Sequence, residues 1–203
     1  MCDRGGPMTD QTPGAANPLR SPAILALFAI TAGGFLWIAL VTAPAFEQAA
    51  GVPLPDGRIF GYLPSDVAAM HAAVKANPEA AVIANRLYRT LEFILPALVA
   101  LSVTLLAASG FAALVRLGST LPVPLTRIIS GAISVPYLVI DLRENGLAQA
   151  LFSAQSLAGD VPVGIARMLP AFTAWKFATL GAAQLVVLAI WFQVALRARR
   201  QPK

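Results

Sequence analysis

The sequence has little charge and almost none of the residues that build metal or redox centres. Its 203 residues include one cysteine and one histidine, and only 12% are Asp, Glu, Lys or Arg. One thiol forms no internal disulfide, and one Cys with one His excludes a His-rich zinc site or a bis-His haem site within the chain. Walker A, G-x-S-x-G, C-x-x-C and H-E-x-x-H motifs are also missing. We therefore expect no metal and no cofactor.

Apolar residues take the place of charge. AVILMFWYC residues make up 57% of the chain, and the mean hydropathy is +0.70. A soluble domain is typically about 45–50% apolar and about 25% charged. The net charge of +5 would suit nucleic acid, but the cations crowd the C-terminal tail directly after an apolar run, where they meet anionic lipid headgroups. We expect membrane lipids as partners, with another membrane protein or a second copy as a further possibility, and no nucleic acid.

Four apolar segments predict an all-α, integral membrane four-helix bundle. Spanning a bilayer needs about 20 mostly apolar residues, and uncharged stretches of that length give the first, second and fourth spans. The third is interrupted by charged residues after Ile140, but one helix carrying polar groups lets the fourth span return both tails to the same side. The predicted spans are 22–45, 92–116, 125–153 and 170–196, between a disordered tail, 1–21, and a basic tail, 197–203.

Lysines and arginines near the span ends favour both termini in the cytoplasm. The first extracytoplasmic loop, from Glu47 to Leu91, is too long for a plain connection and is predicted to be partly helical. Ser65 is predicted to cap an amphipathic helix, and Pro78 to begin another. His71 lies on the apolar side of the first of these helices. It is expected to be a packed histidine rather than a catalytic one.

Polar residues in the third and fourth spans lie at membrane depth. With a rise of roughly 1.5 Å per residue, Asp141 lies about 20 Å along the third helix from its cytoplasmic end. Glu144 and Asn145 follow at i+3 and i+4 and share its face. Thr173 and Lys176 reach a similar height on the fourth span. Because ionised groups in hydrocarbon are costly, they are expected to point inward, and Lys176 is predicted to pair with Asp141 or Glu144.

The second span brings two more charged residues through the same layer, Arg89 and Glu92. A pairing of Arg89 with Glu92 or Glu144 is predicted by the same argument. Such charges either lock the helices together or line a polar pocket that opens to the outside and takes a headgroup, a small polar solute or a proton. The sequence leaves both readings open.

The order of these motifs resembles an uncharacterised bacterial family of four-span membrane proteins. The resemblance covers residues 25 to 195 approximately. It implies the four-span topology, a bacterial cytoplasmic (inner) membrane location and the polar cluster, and it implies no activity. Its motifs are an Asp/Arg/Gly-Tyr segment after the first span (Asp56, Arg58, Gly61, Tyr62), D-x-x-E-N in the third (Asp141, Glu144, Asn145) and T-x-x-K in the fourth (Thr173, Lys176).

Two functions follow as hypotheses. The first is a non-enzymatic accessory protein, or a bundle that binds a lipid or small solute. The second is a membrane enzyme acting on a lipid or isoprenoid group, with Asp141 or Glu144 as acid/base and Lys176 or Arg89 holding an anionic headgroup. A proton or ion pathway ranks below both, because the cytoplasmic half of the spans is nearly all apolar.

Overall fold

Four long apolar helices make up most of the protein. The computed structural model describes residues 21–58 and 61–200, apart from the side chain of Asp56. Within these ranges there is no strand, so the all-α, multi-pass prediction is confirmed, while most of the N-terminal tail and residues 201–203 lie outside the described part. Helices long and apolar enough to cross a membrane are Pro22–Ala50, Pro78–Arg116, Val123–Leu151 and Val163–Arg200.

The first helix changes its winding part-way along. It consists of α1 (Pro22–Trp37), a π segment (Ile38–Thr42) and α2 (Ala43–Ala50). Pro44 accounts for the π segment, because proline lacks an N–H and its ring clashes with the carbonyl four residues earlier. The wider turn is closed by a bond from the Ala43 N–H to the Ile38 carbonyl. Gly51 ends α2 in the left-handed conformation, with φ of 69°.

The first loop folds into a short 3-10 turn (Pro55–Gly57) and two helices, α3 (Pro64–Ala76) and α4 (Pro78–Arg89). The predicted cap at Ser65 is wrong: Leu63 precedes the helix, Pro64 occupies its first position, and Asp66 accepts a hydrogen bond from the Leu63 N–H at 2.7 Å. Pro78 begins α4 as predicted, and the Asn77 side chain accepts from the Glu79 N–H at 2.9 Å.

After α4 come the remaining helices of the bundle. They are α5 (Leu91–Arg116), α6 (Val123–Leu151), the single turn α7 (Ala154–Leu157) and α8 (Val163–Arg200). α8 begins seven residues before the predicted start of the fourth span, because Pro170 is accommodated inside the helix. It also runs on to Arg200, so the predicted basic tail is helical where it is described.

Small residues let the long helices approach closely. A Cβ on Gly34 of α1 would lie 3.0 Å from the Leu95 side chain, and one on Gly110 of α5 would lie 2.6 Å from Ile190 Cγ2. Beside Gly110, the Trp191 indole donates to the Leu106 carbonyl at 3.2 Å. These contacts hold α5 against both α1 and α8.

The best-buried apolar side chains lie towards one end of the bundle rather than across its middle. The 3-10 turn, α3, α4 and α7 cover that end, and together they are called the cap. Phe152 contacts Phe46 and Tyr88 with ring centroids 6.3 and 5.9 Å away. The cap therefore closes the bundle directly above the polar residues of α6 and α8. Apolar side chains under 2% exposed include Phe46, Leu54, Val67, Met70, Val74, Leu151, Phe152 and Leu169.

Candidate functional site

One face of α6 carries three polar side chains into the bundle. Asp141, Glu144 and Asn145 are each at most 3% exposed, while Val139 and Leu142 on the outer surface are 52% and 38% exposed. The i+3 and i+4 spacing places the polar residues together, and the apolar outer face turns them inward. With Glu92 of α5 and Thr173 and Lys176 of α8 they form what is here called the polar cluster.

The charges of α6 and α8 meet as predicted. The Lys176 ammonium lies 2.6 Å from Glu144 Oε2 and 3.6 Å from Asp141 Oδ1. Thr173 donates to the other oxygen of Glu144, Oε1. The side chains of Lys176, Asp141 and Glu144 are only 7%, 5% and 2% exposed, so this is a buried, paired group.

Asn145 connects the polar cluster to α5. Its amide nitrogen donates to the backbone carbonyl of Glu92 at 2.5 Å and to Asp141 Oδ1 at 3.2 Å. Glu92 itself is 6% exposed, in the first turn of α5. A side-chain bond to a backbone carbonyl fixes the height of α6 relative to α5, so the carboxylates of both helices lie in one layer.

The predicted pairing of Arg89 with Glu92 or Glu144 is wrong. Arg89 is the last residue of α4, and its side chain is exposed. In an unbroken helix Arg89 and Glu92 would share a face at i and i+3. Thr90, with φ of −124° and ψ of −85°, interrupts the helix between them and turns Arg89 away from the bundle.

Tyr137 belongs to this site and was missed by sequence reasoning. It is 3% exposed, one turn before Asp141 on α6, and its hydroxyl is hydrogen-bonded to the Asp141 side chain. The signal was present in the sequence, because Tyr137, Asp141 and Asn145 recur every four residues on one helix face.

The four loop candidates lie in different surroundings. Tyr62 reaches the polar cluster, with its hydroxyl 2.9 Å from Thr173 Oγ1. Arg58 lies 5.9 Å from the Tyr62 ring and forms an ion pair with Asp66 at 3.4 Å. His71 packs in the cap, 3% exposed and 3.1 Å from the Ser156 carbonyl, as expected of a packed histidine. The side chain of Asp56 lies outside the described part of the structure.

A cavity of about 320 Å³, called here the head cavity, adjoins the polar cluster. Glu92, Asp141 and Lys176 face it, whereas Glu144 and Thr173 lie behind the wall. Apolar side chains of the first helix and of α8 form the rest of its surface. The full lining is Phe35, Ile38, Ala39, Ala43, Leu54, Gly57, Glu92, Leu95, Tyr137, Asp141, Lys176, Phe177 and Leu180.

The head cavity has ionisable side chains on one side and apolar walls elsewhere. In the described ranges no group of three or more His, Cys, Asp or Glu is placed to hold a metal ion. Carboxylate, ammonium and phenol groups at one place, with apolar walls elsewhere, suit a molecule that has one polar end and one apolar part. Comparison of the chain with protein-family models, with curated proteins and with solved structures found no match.

Proposed function

We propose that this chain is a non-enzymatic protein of the bacterial cytoplasmic membrane that binds one amphipathic molecule in the head cavity. In this proposal both termini lie in the cytoplasm and the cap faces outward, as the dense C-terminal cations favour. The polar end of the bound molecule lies against the polar cluster, and its apolar part lies along the first helix. A lipid or a small apolar solute with a polar end fits this description.

The observation that carries the proposal is that Glu92, Asp141 and Lys176 face a cavity. Charges that only lock helices together are best enclosed by one another, since any space beside them leaves them poorly solvated. Here Lys176 pairs with both Glu144 and Asp141, and yet Lys176, Asp141 and Glu92 also form part of the cavity wall. Such a wall is typical of a small-molecule site, where a few polar groups orient a ligand within an apolar pocket.

One observation favours the enzyme as a second candidate. Asp141 lies on the cavity wall between Tyr137, its hydrogen-bond partner, and Lys176 at 3.6 Å. A carboxylate so placed has the neighbours that a general acid/base requires. Glu144 is held behind the wall by Lys176 and Thr173, so on this alternative the acid/base role falls to Asp141.

Filling the cavity tests the binding function without touching the charges. Ala39 lines the head cavity, and Ala29 lies on the same helix outside it, so Ala39→Phe and Ala29→Phe are matched variants. Native mass spectrometry of protein purified in a mild neutral detergent measures any retained small molecule. We expect the wild type and Ala29→Phe to retain one and Ala39→Phe to lose it, while all three elute from size-exclusion chromatography as folded protein of the same size.

Retention of the same molecule by Ala39→Phe, or no bound molecule in the wild type even after incubation with total bacterial lipid, would overturn the proposal. The enzyme alternative is separated by Asp141→Asn. A binding protein leaves the lipid profile of the cell unchanged when this variant replaces the wild type. Accumulation of one lipid in cells that hold folded Asp141→Asn protein would identify a substrate instead.

A further inference from the structure

We infer that two copies of this chain associate side by side in the membrane, through a groove between the first helix and α8, with the amides of their two Gln184 side chains bonded to each other. This inference concerns an interaction surface and is independent of the ligand proposed for the head cavity. Three features of the described residues support it: an amide without a partner at membrane depth, the symmetry of two copies in one membrane, and the shape of the surface.

The groove, called here the side groove, has a volume of about 500 Å³ and lies between the first helix, α5 and α8. Its walls are mostly apolar. The hydroxyls of Thr31 and Ser102 lie 3.5 Å apart in it, and each donates to a carbonyl of its own helix, so both are satisfied within the chain. The side groove is lined by Phe28, Thr31, Ala32, Phe35, Val99, Ser102, Val103, Leu106, Gln184, Val187 and Leu188.

Gln184 is the polar side chain of the side groove that has no hydrogen-bond partner among the described residues. It is exposed on α8, thirteen residues before Arg197, which is about 20 Å at roughly 1.5 Å per residue. Because the hydrocarbon core is about 30 Å thick, the amide lies well inside it. An amide offers two N–H groups and one carbonyl oxygen, and leaving them unpaired in hydrocarbon is costly. Gln184 therefore requires a partner that both donates and accepts at this depth.

A lipid chain would fill the side groove but would offer Gln184 no hydrogen bond, whereas a second copy of the chain offers an amide. Two copies in one membrane have the same orientation, so the two-fold axis that relates them lies along the membrane normal. Each residue beside this axis faces its own counterpart at the same depth. Two side-chain amides can form a reciprocal pair, in which the N–H of each donates to the carbonyl oxygen of the other. Such bonds between helices are typical of glutamine in membranes.

The surface beside the side groove has projecting side chains that could fill it. Leu188 lies one turn after Gln184, and Phe192 lies one turn after Leu188; each is 63% exposed. A two-fold interface joins the same patch on both copies, so it needs a groove and a ridge side by side. This surface has both, and the ridge of each α8 can pack into the groove of the other copy as knobs into holes.

Sedimentation equilibrium in a density-matched neutral detergent, at several ratios of protein to detergent, tests the association. We expect a monomer–dimer equilibrium for the wild type and a dissociation constant about tenfold higher in Gln184→Leu, since an interhelical amide pair is lost. Leucine suits a lipid-facing position, so the monomer of this variant should stay folded. Gln184→Asn keeps an amide and should recover part of the loss. Gln193→Leu is the matched control, because that exposed glutamine of α8 is only four residues from Arg197 and lies near the polar interface.

Disulfide cross-linking in native membranes locates the interface. The native cysteine is replaced by serine, single cysteines are introduced, and copper phenanthroline oxidises thiols of two copies whose backbones lie within about 7 Å. Leu188→Cys, which lines the side groove, should give a cross-linked dimer. Val186→Cys should not, because Val186 is 43% exposed but lies about 200° around α8 from Leu188.

Each measurement can overturn the inference. A dissociation constant that is the same in the wild type and Gln184→Leu, or a protein that is monomeric at every detergent ratio, contradicts the role of the amide. Failure of Leu188→Cys to cross-link, or equal yields at positions 186 and 188, contradicts the position of the interface. A monomer that retains a small molecule in native mass spectrometry, and loses it in Gln184→Leu, would show that the side groove binds a ligand rather than a second copy.

Discussion

Removal of the Lys176 charge should reveal how strongly the polar cluster holds α6 to α8. In Lys176→Met the carboxylates of Asp141 and Glu144 lose the ammonium 3.6 and 2.6 Å away while they remain buried. Breaking one partner of a buried ion pair typically reduces stability by about 3–5 kcal/mol, because the remaining charge has no compensation. We expect about 3 kcal/mol here, since a proton can neutralise one of the acids.

Glu144→Gln should reduce stability less than Lys176→Met does, and the losses of stability in the two variants should not add. Glu144→Gln leaves Lys176 with Asp141 and keeps an acceptor for Thr173, so we expect a loss of about 1–2 kcal/mol. In the double variant residue 144 is an uncharged glutamine, so no buried charge at that position remains for the lysine to compensate. The combined loss should therefore fall short of the sum by at least about 1 kcal/mol, a coupling expected of residues in one network.

Equilibrium unfolding in mixed micelles of a neutral detergent and dodecyl sulfate, followed by tryptophan fluorescence, measures each free energy of unfolding. Lys75→Met is the matched control, because that lysine is in the cap and donates to the Gly159 carbonyl from an exposed position. Its loss should be below about 1 kcal/mol. Additive effects of Lys176→Met and Glu144→Gln, or equal losses for the two lysine variants, would refute the buried ion-pair reasoning.

Two further predictions concern packing and orientation. Gly110→Ala should destabilise the bundle by about 1–3 kcal/mol in the same unfolding assay, because its new methyl group would lie 2.6 Å from Ile190 Cγ2. Gly181→Ala should be neutral, because its new methyl group would lie at least 4 Å from every atom outside its own helical backbone, and an equal loss there would contradict the packing argument. Orientation is tested by adding an impermeant maleimide to intact spheroplasts, with the native cysteine removed from the protein. Ser65→Cys in the cap should react, whereas Thr120→Cys should not. The reverse labelling pattern would mean that both termini lie outside.

The agreement between sequence and structure is best where a single physical cost dominates. Asp141, Glu144 and Lys176 occur in apolar helices where a lipid-facing charge is costly, so their mutual contact was predictable from depth alone. The predicted pairing of Arg89 was wrong because the direction of its side chain depends on whether the helix continues through Thr90. No propensity rule determines a one-residue break in a helix.

The head cavity was beyond sequence reasoning. It arises where side chains of the first helix, α5, α6 and α8 leave a gap, and the fit between apolar surfaces depends on how all their side chains mesh. Nothing in the pattern of apolar residues distinguishes a filled gap from an open one. The start of α8 shows a related limit: Pro170 is as compatible with the interior of a long kinked helix as with its first turn.

The π segment at Ile38–Thr42 sets the direction in which the side chains that follow it in the first helix face. Buried residues occur there at Thr31, Ile38 and Phe46, seven and then eight positions apart. Eight residues of regular α-helix would leave the last one about 80° out of line with the one before. The wide turn absorbs that rotation, so Phe46 still meets Phe152 at a centroid distance of 6.3 Å. The residues of the first helix that border the head cavity and Phe46, which packs against the cap, are thus aligned by one extra residue in the π segment.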